Sequence, residues 1–396
     1  MRYNLKFAEA LHKTDIGLDG IIEALGGIPH HKETIVTYKD GSISSFEIEG
    51  ELKATSIPNR FEIVNIKIGD TITSIGDSAF TQCYDISSII IPTSVISIGT
   101  YSFRDNYDLS SITIPDSVTT ISDNAFHNCI RLSSITIPSS VINIGNRVFS
   151  SCYGLLTIKV DSNNIIYDSR ENCNAIIKTA DNTLIQGCKN TIIPNDVIRI
   201  DNCAFDNQTY LSSITIPDSV TSIGYRAFIG CSKLSSITIP DSVTSIGTYA
   251  FSSTELKSIT IPNGVTKIEQ YTFFNDEYLS SITIPSSVIS IELNAFDYCS
   301  NLSSITIPSS VTSIENYAFR GCRNLSSITC LASTAPNTQT YVFGSSNSKY
   351  NYTGRNTYST GKNVLKVPQN ATGYDSGAWL NPLQNTEKCG FHIVYE

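Results

Sequence analysis

A 21-residue stretch, LSSITIPDSVTSIGYRAFIGC (Leu211–Cys231), recurs with little change along most of this sequence. Its proline falls at Pro92, Pro115, Pro138, Pro217, Pro240, Pro262, Pro285 and Pro308, a spacing of 23 residues with one step of 22 and one gap of 56 from Pro138 to Pro194. A period in the twenties with fixed apolar positions is the signature of a solenoid, in which stacked units share one continuous core. Within a unit, Leu211-x-x-Ile214-x-Ile216 places three apolar side chains on one face of an extended segment, while Ser213 and Thr215 point the other way. Pro217 lacks a backbone donor and ends the strand. Asp218-Ser219 turns the chain, and Val220, Ile223, Ala227 and Phe228 return apolar groups to the same interior. One unit buries too little to order its own backbone, at about 1–2 kcal/mol per residue, so neighbours must complete each core layer.

The units begin near residues 63, 86, 109, 132, 155, 188, 211, 234, 256, 279, 302 and 325. Two stretches break the rhythm. Between Val160 and Pro194 there is no repeat Phe, and Ala175–Lys178 and Thr183–Gln186 flank Ala180-Asp181-Asn182, which predicts a β-hairpin inserted at about 161–190. Leu331–Lys362 is rich in Ser, Thr, Asn, Gly and Tyr and reads as a loop, after which Val364–Pro368 restores a strand. Trp379, Leu380, Phe391, Ile393 and Tyr395 then supply a C-terminal cap over 331–396. At the other end, Leu5, Ala8, Leu11 and Leu18, Ile21, Ile22, Leu25 have helix spacing. Thr34–Tyr38 and Ser42–Ile48 flank the turn Lys39-Asp40-Gly41. Residues 1–60 are therefore expected to cap the repeat region 61–330 with short helices and a hairpin.

Composition excludes several partners. The net charge of −9 is spread along the chain without a basic patch, which argues against nucleic acid. No apolar run approaches the roughly 18 residues of a membrane span. The N-terminus lacks the basic start and apolar stretch of a secretory signal, its candidates being broken by Lys6, Glu9, Lys13, Asp15 and Asp19. Six of the 11 cysteines (Cys83, Cys129, Cys152, Cys231, Cys299, Cys322) stand three residues after the repeat Phe. Asn106, Gln208, Thr254 and Asp276 fill that position elsewhere, so it is expected to be a half-buried ladder of reduced thiols. Cys129 and Cys152 would lie about 5 Å apart, a separation that also permits a bridge.

The repeat closely resembles the BspA-like leucine-rich repeat, L-x-x-I-x-I-P-x-x-V-x-x-I-G-x-x-A-F-x-x-C, matched again by LSSITIPDSVTTISDNAFHNC (Leu109–Cys129) and LSSITIPSSVTSIENYAFRGC (Leu302–Cys322). The resemblance covers residues 63 to 330. It implies a β-rich (α/β-class) solenoid: a right-handed, curved superhelix with a parallel β-sheet on its concave side. It also implies a surface or secreted protein of a host-associated bacterium that adheres to host or microbial surfaces. Similar repeats in bacteriophages of gut bacteria offer the rival expectation, a structural or receptor-contacting component of a virion, with a virion or cytoplasmic location.

No catalytic signature is present: no His-Glu-x-x-His, no phosphate-binding glycine loop and no Gly-x-Ser-x-Gly elbow. His12, His30, His31, His127 and His392 are scattered. Asp161-Ser-Asn163-Asn164 opens like a calcium loop, but Ile165 occupies a ligand position, so a solvated turn is expected. The expectation is a non-enzymatic binding protein with no cofactor and no metal, whose partner is a protein or glycan surface. Two groups of residues are candidates for contact. Ser213, Thr215, Ser236, Thr238, Ser258 and Thr260 form rows of small hydroxyls on the outward strand face. Tyr225, Arg226, Tyr249 and Tyr271 precede the repeat Phe and carry the side-chain types that dominate binding hot spots. Each group also has a plain reading, the first as a soluble β-favouring surface and the second as packing between turns.

Overall fold

The computed structural model describes residues 32–339, 342–343, 364–374, 379 and 392–396. The helices expected before residue 32, most of the 331–362 loop, and Leu380 and Phe391 lie outside these residues. The chain is a β-solenoid of parallel strands in which each unit lays down three tracks. The first is the L-x-x-I-x-I segment, giving strands such as Ser88–Ile90, Ser111–Thr113, Ser258–Thr260, Ser281–Thr283 and Ser304–Ile307. Register follows the repeat, with Ser88 opposite Ser111 and Ile259 opposite Ile282. Outward residues therefore stack on outward residues.

The second track is a ladder of two-residue strands ending at the unit's last Ile. It runs through Ser97–Ile98, Thr120–Ile121 and Asn143–Ile144, and later through Arg199–Ile200, Ser222–Ile223 and Ser245–Ile246. Between the two tracks the chain turns where Pro217 ends the strand: the Val220 amide donates to the Pro217 carbonyl at 3.0 Å. The turn serine donates to the valine carbonyl one unit back, as Ser219 does to Val197 and Ser242 to Val220, each at 2.7 Å.

The third track carries the Ala-Phe pair. Its amides reach into the next unit, Phe103 to the Ala125 carbonyl and Phe228 to that of Ala250, both at 2.8 Å. This track requires left-handed backbone two residues before and two after each Phe, as at Tyr249 (φ 59°) and Ser253 (φ 59°) around Phe251. The Phe rings stack along the axis, Phe103–Phe126 at 5.1 Å and 3°, Phe228–Phe251 at 5.5 Å and 2°. Leu211, Ile216, Val220, Ile223, Ala227, Phe228 and Cys231 are all buried as their pattern predicts, but Ile214 is only partly so.

The inserted segment forms strands Tyr167–Asp168, Ala175–Lys178 and Thr183–Gly187, the last two an antiparallel hairpin. Thr183–Gly187 then pairs in parallel with Arg199–Ile200 and so re-enters the second track. The third track meanwhile closes over the insertion. Ser151 donates its amide to the Asp206 carbonyl, and Gln208 its side-chain amide to the Phe149 carbonyl, residues 55 and 59 positions apart. Gly187 lies against the Phe205 ring, where a Cβ would come within 2.1 Å of Cε1. The buried core divides here into two clusters. Ile176 and Cys188 belong to the N-terminal one, while Cys173, Ala175, Ile177 and Leu184 belong to the C-terminal one.

At the N-terminal end the hairpin is Glu33–Tyr38 with Ile43–Glu47, and its first strand pairs antiparallel with Ile63–Lys67. Gly50–Leu52 already belongs to the second track, pairing in parallel with Ile72–Ile75. The solenoid thus starts within the segment expected to cap it.

Candidate functional site

The outward hydroxyls of the first track, Ser213, Thr215, Ser236, Thr238, Ser258 and Thr260, are all exposed. They line one groove of about 1030 Å³, together with Thr191, Ile192, Asn195, Ile214, Pro217, Asp218, Ile237 and Pro240. The groove coincides with an interruption of the sheet. First-track pairing is absent between Ser111–Thr113 and Ser134–Ile137, between Thr157–Val160 and Ser258–Thr260, where residues 211–216 and 234–239 form no strand, and between Ser281–Thr283 and Ser304–Ile307. Ile214 and Ile237 are partly accessible, as is Ile282 in the paired strand Ser281–Thr283, whereas the equivalent Ile135 and Ile259 are 2% and 4% exposed.

Tyr225, Arg226, Tyr249 and Tyr271 stand on the third track and none of them lines the groove. Tyr249 and Tyr271 stack on each other at 4.4 Å and 6°, and Tyr225 meets Tyr249 edge-on at 6.3 Å. The run continues through Phe274, edge-on to both Tyr271 and Tyr298, to Arg320, which lies 5.4 Å over Tyr298 and 4.6 Å over Tyr317. The stacked ring faces are thus occupied by one another. Arg226 sits over Tyr225 at 5.9 Å and pairs with the buried Asp206 at 3.4 Å. These contacts pack the row between turns, while Tyr225 stays 43% exposed.

The cysteine position is fully buried rather than half-buried. Cys129, Cys152, Cys231, Cys299 and Cys322 each donate their S–H to the Phe carbonyl one unit back, at 3.0–3.2 Å. Burial pushes their thiols up where a shift is resolved, as in Cys129, Cys231, Cys299 and Cys322. Cys129 and Cys152 are both free thiols. Asp161–Asn164 is a turn: the Asn163 amide donates to Asp161, and buried Asn164 donates to the Pro138 and Val141 carbonyls. Among the described residues no group of three His, Cys, Asp or Glu side chains converges as metal ligands. Burial lowers the His127 pKa, so this half-buried ring is held neutral.

A sequence model described as the BspA type leucine rich repeat region matches residues 50–177, 185–303 and 266–370, in 6 copies. The chain belongs to the BspA-type leucine-rich repeat family. Among solved structures it is similar to a leucine rich cell surface protein of Faecalibacterium prausnitzii, at 33% identity and a TM-score of 0.51 over 66% of this chain and 64% of that one. It is also similar to a leucine-rich repeat protein of Eubacterium ventriosum, at 27% identity and a TM-score of 0.57, covering 73% of this chain and 92% of the other. A leucine-rich repeat protein of Bacteroides ovatus is 25% identical with a TM-score of 0.53, covering 93% and 91%. A search of curated proteins finds no match.

In this chain the inward-facing positions recur from unit to unit. The outward hydroxyls between Ser213 and Thr260 line a groove that no residue of the repeat announces. Units 211–216 and 234–239 carry the same LSSITIP string as the paired unit at Leu302–Pro308. No helix among the described residues is long and apolar enough to cross a membrane.

Proposed function

We propose that this BspA-type protein is a non-enzymatic binding protein that contacts host or microbial protein or glycan surfaces through the first-track face between Thr191 and Thr260, from a cell-surface or extracellular location. One observation carries the reading: six candidate hydroxyls, on three successive units, line a single groove of about 1030 Å³. The family membership and the cell-surface description of the F. prausnitzii relative support the location and the adhesive role. Many small hydroxyls give many weak contacts, so binding of this kind relies on area and repetition more than on one anchor.

Binding of the purified protein to immobilised matrix proteins, mucin and bacterial cells tests the proposal. The double variant Ser236→Arg/Thr238→Arg is expected to lower binding at least tenfold. Ser111→Arg/Thr113→Arg, on the same face outside the groove, is expected to leave it unchanged, as are Tyr249→Ser and Tyr271→Ser. Equal loss from both double variants would remove the groove from the explanation.

A further inference from the structure

A second depression lies on the second track. It has a volume of about 410 Å³ and shares no lining residue with the first-track groove. Its place follows from one row of the repeat, the residue after the last Ile of each unit. Over six successive units that row reads Asp201, Gly224, Gly247, Glu269, Glu292 and Glu315. The Gly224 amide donates to the Ile200 carbonyl and the Gly247 amide to that of Ile223, both at 2.9 Å. A Cβ at Gly224 would stand 2.6 Å from the Asn202 nitrogen, and one at Gly247 2.6 Å from the Tyr225 nitrogen, so tight stacking keeps these two units bare. Two bare units between Asp201 and Glu269 make the depression, with Ser222, Ser245 and Thr248 lining it beside the glycines.

The charged groups around it select what fits. Arg199 and Asp201, two residues apart on an extended segment, lie on the same side of the chain, and Glu269 stands at the far end. Among the described residues, none of these three side chains has a hydrogen bond or an ion pair. A guanidinium only donates and a carboxylate only accepts, so a ligand that meets both carries donors and acceptors together, as a hydroxyl does. A cationic ligand would meet Arg199, and an anionic one Asp201 and Glu269 on a chain of net charge −9. Tyr225, 43% exposed, directly follows Gly224, and its amide donates to the Asn202 side chain at 2.8 Å. In the repeat register it stands between the lining residues Asn202 and Thr248, and adds an aromatic surface at the rim. A space of about 410 Å³ suits a small polar group. We infer that the second-track depression binds one neutral sugar unit of a glycan. The sugar's hydroxyls bond to Arg199, Asp201 and Glu269, and its ring lies against Tyr225. This site goes beyond the reading of the first-track face and does not depend on it.

Saturation-transfer NMR of the intact protein tests it, with the methyl glycosides of glucose, galactose and mannose and with N-acetylglucosamine as probes. N-acetylneuraminic acid and the peptide Gly-Lys-Gly serve as the anionic and basic comparisons. At least one neutral sugar should receive saturation, shift the amide signals of Gly224 and Gly247, and bind at least tenfold more tightly than either charged probe. Ser245→Trp, which fills the depression, Asp201→Ala and Tyr225→Ala should each weaken that sugar at least fivefold. Ser97→Trp, at the equivalent position of a distant unit, should leave its binding unchanged. Absence of binding by every neutral sugar, equal or tighter binding of a charged probe, or undiminished binding in any of the three depression variants would overturn the inference. An equal loss in Ser97→Trp would also overturn it, by placing the sugar elsewhere on the molecule.

Discussion

Three residues after the repeat Phe, a buried side chain can donate a hydrogen bond to the Phe carbonyl of the preceding unit, although Thr254 donates to Asp276 instead. Five cysteines and Gln208 do so. Asn106, in the same position and fully buried, leaves both its amide nitrogen and oxygen unpaired. Asn106→Cys should therefore raise stability, by about 1–3 kcal/mol in urea unfolding, because it removes a buried unsatisfied amide. Asp276, at the same position, is governed by burial instead. Its Oδ1 accepts from the Thr254 amide and hydroxyl, its Oδ2 has no partner, and burial pushes its pKa up to about 8. The folded state thus holds the proton more tightly than the unfolded chain, where the value is 3.8. This contribution to stability is full below about pH 4 and is lost as the pH rises towards 8. Asp276→Asn should flatten that part of the pH dependence and make the protein more stable than the parent at pH 8, by a few kcal/mol. Identical slopes for the two proteins would mean that Asp276 is already ionised when folded. The recurrence of Cys was plain in the sequence. Its donor role was not, since a mixture of Cys, Asn, Gln, Thr and Asp looks like tolerance until the Phe carbonyls that the five cysteines and Gln208 reach are seen.

At the scale of the repeat unit, the apolar period was enough to place nearly every core side chain, because burial alone selects Leu211, Ile216, Val220, Ile223, Ala227 and Phe228. Phe228→Ala is expected to cost about 3–5 kcal/mol, since the flanking rings of Phe205 and Phe251 cannot collapse into the space. A loss under about 1 kcal/mol in chemical denaturation would show that the stack is not where the stability lies. The left-handed residues around each Phe were not legible, because Ser, Tyr, Arg and Asn fill positions that glycine would mark openly. Ser253→Val should cost about 1–2 kcal/mol at φ 59°, whereas Ser253→Gly should be close to neutral. The hydroxyl rows were legible as outward residues. The groove that six of them line was not, for identical LSSITIP strings occur in units that form a first-track strand and in units that do not.

Across the whole molecule, the inserted hairpin divides the hydrophobic core while the Phe-bearing track runs on past it. Asp206 stands at the junction, fully buried, with the Nε groups of Arg147 at 2.9 Å and Arg226 at 3.4 Å, one from each side of the insertion. Ser150 and Asn207 also donate to its carboxylate. In a solenoid, stability is a sum of unit and nearest-neighbour contributions, so a divided core should unfold in two steps. Calorimetry should resolve two transitions, with Phe126→Ala lowering one and Phe296→Ala the other. A single transition moved by both substitutions would show that the junction at Asp206 couples the halves fully. The exposed tip of the hairpin, between Ala180 and Asp181, has a practical consequence. Because Ser151 and Gln208 carry the third track directly across to Asp206 and Phe149, foreign sequence spliced into that tip would hang outside the stacking register, which makes this protein a ready scaffold for displaying grafted epitopes.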